Sequence, residues 1–329
     1  MKNISIMNGC MMICVAAAIT TSSSAQDSAP LLKAHTAIAL PGRPGHFDWM
    51  MVDSEKHRLL AAHPGAGTLT VYDLQTKEIK ELETGPVNGV AVDSKTDKIF
   101  AGGPNKKIVV FNRTNLEKIE EIELPGPADT LAFNTKNGML YVDEDDGLQV
   151  WVIDAKTDKI VHSVVISGAP EYVEYDPVTD RLYQNIKDKN TVQVINPEND
   201  KVESDWPTDP ITGPHGLAID SKTQRLFSAG KNSKMAILDM KSGKVLSTVD
   251  IGNGVDQIAF DPFTKRVYCA CDGEITVVEE TEAGAKVIGK VTIPKGAHTL
   301  AVDPKNHSVW ISYSDEKASY IQRYSIPKR

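Results

Sequence analysis

Apolar and polar residues alternate along nearly the whole chain in runs of four to six positions, and no segment keeps the 3.6-residue spacing of an amphipathic helix. The pattern predicts short β-strands throughout. One of these strands recurs. Aligned on the Asp or Asn that follows its apolar run, the copies are FDWMMVD ending at Asp53, VNGVAVD at Asp93, ADTLAFN at Asn134, PEYVEYD at Asp176, PHGLAID at Asp220, VDQIAFD at Asp261 and AHTLAVD at Asp303. The markers lie 40, 41, 42, 44, 41 and 42 residues apart. That period is the length of a four-stranded propeller blade and not of a helical repeat, so the expected fold is an all-β, seven-bladed β-propeller.

Each copy carries the same turn chemistry. DSEKHR, DSKTDK, NTKNGM, DPVTDR, DSKTQR, DPFTKR and DPKNHS follow the markers, with Asp or Asn placed to accept a bond from the backbone two residues on. Asp73, Asn112, Asp154, Asn196, Asp239 and Glu279 do the same after the third strand, so these carboxylates and amides read as turn residues. Phe100, Tyr141, Tyr183, Phe227, Tyr268 and Trp310 share one position of the repeat and read as packing between neighbouring blades. The last copy ends without a fourth strand, and AHTAIALPG near the N-terminus looks much like the missing segment. A strand over residues 33–40 is therefore expected to complete the C-terminal blade and close the ring, which removes open sheet edges.

The first residues are of another kind. Lys2, the apolar run from Cys10 to Ile19 and the small residues before Gln26 form an export signal expected over 1–25, followed by a short polar lead at 26–32 and one propeller domain over 33–329. A ten-residue apolar run is too short to span a bilayer. The mature chain is expected in the periplasm or secreted, as a monomer with no integral membrane span. The signal takes Cys10 and Cys14 with it and leaves Cys269 and Cys271, whose side chains one strand step apart lie roughly 6 to 7 Å from each other. That is too far for a disulfide, and the pair reads as small residues filling a blade interface, with metal or redox duty as the alternative. The net charge of −8, which becomes −9 without Lys2, argues against nucleic acid as a partner.

The stretch VIDAKTDKIVHSVVISG, followed by PEYVEYDPVTDRLY, resembles the YncE-like, YVTN-type seven-bladed propellers exported by bacteria, and the resemblance runs from Lys33 to Arg329. It implies an exported propeller. It implies no single activity, because blades encode the fold and not the chemistry. LYVDE at 140–144 and LYQNI at 182–186 depart from the family's LYVTN wording, in segments expected to be loops.

Candidate chemistry lies where the copies disagree. Five residues before the markers stand Asp48, Asn88, Asp129, Glu171, His215, Asp256 and His298, all polar in an otherwise apolar strand. The innermost strand of a blade lines the channel, so this column is expected to ring one mouth of it and to bind a small polar ligand, an ion or an envelope protein. Like charges so close raise one another's pKa, which a bound divalent metal ion would relieve. His215, Asp256 and His298, from three consecutive blades, offer a set of two imidazoles and one carboxylate suited to a transition metal, while Asp48, Asp129 and Glu171 suit a harder ion. A hydrated pore is the plainer alternative.

Loops between the second and third strands are expected to form a mixed rim, with His63, Asp143 to Asp146, Asn185 to Lys189, Lys231, Asn232, Cys271, Asp272 and Tyr313. Glu174 occupies the place of Ala91, Ala132, Ala218, Ala259 and Ala301. The signatures of serine hydrolases, zinc proteases and P-loop enzymes do not occur. Two readings follow: a non-catalytic envelope propeller binding at its channel mouth, and a metal-dependent lyase or hydrolase of lactonase type in which His215 or His298 moves the proton.

Overall fold

Every marker residue ends an inner strand and caps the turn that follows. Asp93 Oδ1 accepts from Lys95 N at 2.8 Å, Asn134 Oδ1 from Lys136 N at 2.9 Å, and Asp220 Oδ1 from Lys222 N at 2.9 Å. Four residues after each marker the backbone turns left-handed, with φ between 54° and 78° at His57, Asp97, Gly138, Asp180, Gln224, Lys265 and His307. A turn ending in one left-handed residue returns the chain antiparallel to itself, and the repeat is built on that step.

The computed structural model describes Met1 and residues 30–327, so the expected export signal lies outside the described residues. From Leu31 onward the chain forms one compact unit of seven antiparallel blades around a common axis, with strands over 49–83, 89–123, 128–165, 170–207, 214–250, 258–292 and 299–325. There is no helix among the described residues. Each inner strand lies beside the next, and the last, Thr299–Val302, lies beside the first, Trp49–Asp53.

Closure uses the N-terminal segment, though not as one continuous strand. Lys33–Ala34 pairs with Tyr324 and Ser325, and Ile38–Ala39 pairs with Tyr320 and Ile321. Between them the regular pairing lapses: His35 N still donates to Arg323 O at 2.9 Å, and side chains supply the rest, with His35 Nε2 2.8 Å from Ser325 Oγ and Gln322 Nε2 donating to His35 O at 2.7 Å. The outer strand Lys118–Glu123 of the second blade is largely exposed and carries four charged residues, which suits a sheet edge facing water.

The core is divided into seven clusters, each shared by two neighbouring blades. Leu60 packs in one with Val90 and Ile99, Phe100 with Leu131 and Leu140, Tyr141 with Val173 and Leu182, and Tyr183 with Leu217 and Leu226. Phe227 joins Ile258 and Cys269, Tyr268 joins Leu300 and Val309, and Trp310 joins Met50 and Leu59. The aromatic column is therefore the mortar between blades. A side chain of this size contributes about 1.5–3 kcal/mol when fully buried. Cys269 and Cys271 are free and buried in the cluster between the fifth and sixth blades, where burial pushes both thiols up.

Candidate functional site

The polar column meets at one end of the channel because the inner strands bulge there. Pairing slips between Ala128 and Leu131, between Pro170 and Val173, and between Pro214 and Leu217. Each slip frees two consecutive residues from the ladder, so Asp129 with Thr130, and Glu171 with Tyr172, both face the channel instead of alternating across the sheet.

Buried side chains hold the bulges in shape. Asp143 accepts from Thr130 N and Thr130 Oγ1, both at 2.6 Å, and from Gln184 Nε2 at 3.1 Å. Asn185 Nδ2 donates to His215 O at 2.8 Å, while its Oδ1 accepts from Ser228 Oγ at 3.0 Å. Both residues were expected in rim loops. They lie instead in the strands Met139–Glu144 and Arg181–Ile186, fully buried, because the bulged main chain needs partners that the ladder no longer supplies. His63 and Cys271 are likewise buried at strand ends. His63 stacks on Phe47 with ring centroids 4.0 Å apart, and burial holds its pKa down at about 4.

Four of the ring residues form a chain of contacts. His215 Nε2 lies 2.6 Å from Glu171 Oε1 and 3.0 Å from Asp256 Oδ1, and His298 Nδ1 lies 2.7 Å from Asp256 Oδ2. Lys187 holds the far oxygen of Glu171 at 2.7 Å and Asp146 at 2.8 Å. Asn88 Nδ2 donates to Asp129 Oδ1 at 3.3 Å. Asp48, at the start of the first blade, lines the same cavity.

The charges divide accordingly. Burial works against Asp256, yet hydrogen bonds from His215 and His298 hold its carboxyl well below the usual carboxylate range. The same bonds raise both imidazoles, against burial. Asp48 has no such donor, and burial together with the charges of Asp256 and Glu171 pushes it up to about 7. Asp129 is pushed well above its ordinary value by burial and by Asp143, Asp48 and Glu171.

The donor atoms that converge as a possible metal group belong to Glu171, His215 and Asp256, all within 4.8 Å of one another. Of the set expected from the sequence, His215 and Asp256 belong to this group, while His298 lies beside it with its Nδ1 2.7 Å from Asp256 Oδ2. The cavity they enclose has a volume of about 40 Å³ and is lined by Asp48, Asp129, Glu171, His215 and Asp256, with Asn88 and His298 outside it.

Its floor was not legible in the repeat. Trp49 and Tyr172, from the first and fourth blades, meet across the channel with ring centroids 4.5 Å apart, and Gln257 from the sixth blade fills the remaining side. They stand one position after the polar column, where the sister blades have Gly89, Thr130, Gly216 and Thr299. A Cβ at Gly216 would come within 2.6 Å of Asp256 O, so not every blade can contribute a side chain there. The column of three large and four small residues was the available signal. Beneath the partition the channel widens into two connected hollows of about 250 and 220 Å³ that share Trp49, Met51, Tyr172 and Glu174. The alanine column lines them, which is why the channel is hollow here.

Among the described residues no helix is long and apolar enough to cross a membrane. No family model matches the chain, and no curated protein matches it.

Proposed function

We propose that the chain is an exported envelope propeller of the YncE-like type, and that its activity is binding: the channel mouth captures one divalent metal ion through Glu171, His215 and Asp256. The observation that carries this reading is the convergence of an imidazole nitrogen on two carboxylate oxygens, at 2.6 and 3.0 Å, in a cavity of about 40 Å³. One nitrogen and two oxygens suit a borderline first-row ion such as Zn²⁺ or Mn²⁺. The contacts are hydrogen-bond lengths, so an ion enters by replacing the shared proton and spreading the three groups slightly.

The surroundings support the set. Lys187 orients Glu171, and His298 orients Asp256, as outer partners of ligands do. His215 Nδ1 is buried without a partner, so the imidazole lacks the outer bond that strengthens most ligating histidines, and a modest affinity is expected. A cavity of about 40 Å³ between these side chains accommodates an ion or a water.

Elemental analysis of the mature protein purified without chelators, joined to calorimetric titration with Zn²⁺ and Mn²⁺, tests this directly. About one equivalent in the wild type, lost in folded His215→Ala and Glu171→Gln variants, is the expected result. No bound metal and no titration heat in the wild type would refute the metal site.

A further inference from the structure

Glu174 breaks the rule of its column. The residue two before the marker is Ala in five blades and Met51 in the first, and all seven positions line the hollow beneath the partition. Only in the fourth blade is it an acid. Small apolar residues suffice to build this strand, so no requirement of the fold calls for a carboxylate.

The surroundings of Glu174 are those of a binding cavity. Among the described residues lining the two hollows it is the only carboxylic acid, and no Lys, Arg or His lines them. No side chain among the described residues hydrogen-bonds or ion-pairs with its carboxylate. Four aromatic rings share the larger hollow with it: Trp49 and Tyr172 in the partition, and Phe133 and Tyr175 toward the open end. The remaining wall is aliphatic except for Thr135. At about 250 Å³ the hollow approaches the lower end of the range of small-molecule pockets.

A lone carboxylate among aromatic faces in an apolar hollow is a receptor for one kind of ligand. The rings attract a cation through their negative faces, the carboxylate supplies the opposite charge, and the aliphatic wall takes an apolar body. We propose that the lower channel binds a small organic cation, a substituted ammonium, with Glu174 as its counter-ion and Trp49 and Tyr172 as its cation–π partners. Burial, with a smaller contribution from Asp176, pushes Glu174 up to about 8. The neighbouring phenol of Tyr172 is itself driven up by burial and carries no charge there. An ammonium ion compensates what water cannot. The inference is independent of the metal site, which lies on the other side of the partition.

Calorimetric titration of the mature protein with choline, tetramethylammonium and n-butylammonium tests the proposal, with the neutral choline isostere 3,3-dimethylbutan-1-ol as control. At least one ammonium is expected to bind in the millimolar range or tighter, and the neutral isostere about tenfold more weakly. Glu174→Gln and Glu174→Ala are expected to weaken the ammonium about tenfold or more. The alanine variant restores the residue of five sister blades and keeps the test clear of misfolding. His215→Ala, across the partition, is expected to leave ammonium binding unchanged while removing the metal. No heat with any ammonium, equal binding of the neutral isostere, or unchanged binding in both Glu174 variants would overturn the assignment.

Discussion

The side-chain amide of Gln257 is bonded twice to the main chain of Met50: Nε2 donates to Met50 O at 2.8 Å, and Oε1 accepts from Met50 N at 3.0 Å. The same Oε1 accepts from Leu300 N at 3.2 Å. One side chain of the sixth blade thus ties the inner strands of the seventh and the first, at the seam where the ring closes. Gln257→Leu keeps the volume and leaves three buried backbone groups without partners. A loss of about 2–4 kcal/mol is expected in urea unfolding. An unchanged midpoint would show that the seam is held by the outer strands alone.

A second tie crosses from the first blade to the second. Arg113 is buried and donates from Nε to Asp53 Oδ2 at 2.6 Å and from the guanidinium to Asp53 Oδ1 at 2.5 Å. Arg113→Met removes one partner and leaves a buried carboxylate uncompensated. A destabilisation of about 3–5 kcal/mol is expected. Asp53→Asn/Arg113→Met should recover part of it, and thermal unfolding of the pair measures the recovery.

Glu174 makes stability depend on pH. Its pKa rises from 4.5 to about 8 on folding, chiefly through burial. A raised pKa means that the folded chain holds the proton more tightly, so this contribution is complete below the unfolded value and disappears as pH climbs through the folded one. Wild-type stability should therefore fall between about pH 5 and pH 8 relative to Glu174→Gln, with a gap on the order of 5 kcal/mol at pH 9. Parallel unfolding curves for the two proteins across this window would contradict it.

Closure by the N-terminal segment predicts what truncation does. Leu32 and Leu40 are 4% and 5% exposed, and the segment covers the strand Ser319–Ser325. A chain beginning at residue 41 exposes that strand as an open edge, and dimers or aggregates are expected in size-exclusion chromatography. A monomeric truncated protein with wild-type thermal stability would show that closure does not depend on this segment.

Much of the fold was legible because a repeat states its rule seven times. The marker turns and the aromatic mortar are local or nearest-neighbour features, and the period of 40 to 44 residues carries them both. The polar column at the mouth was legible for the same reason, since equivalent positions of a ring must face one another. The interrupted closing strand at His35 was not, because its pairing depends on residues 287 and more positions away.

What the sequence by itself determined was therefore the blade, the number of blades and the residues gathered at one end of the channel, because strand period and turn chemistry act over a few residues. Tertiary structure alone decided which of those residues touch. Whether His215 meets Glu171 or His298 depends on bulges that shift each side chain by one position, and Asp143 and Asn185 fix those bulges from neighbouring strands. It also decided that Trp49 from the first blade and Tyr172 from the fourth meet across the axis and divide the channel. No spacing along the chain encodes a contact across a ring, since it is the diameter of the closed propeller that brings opposite blades within reach.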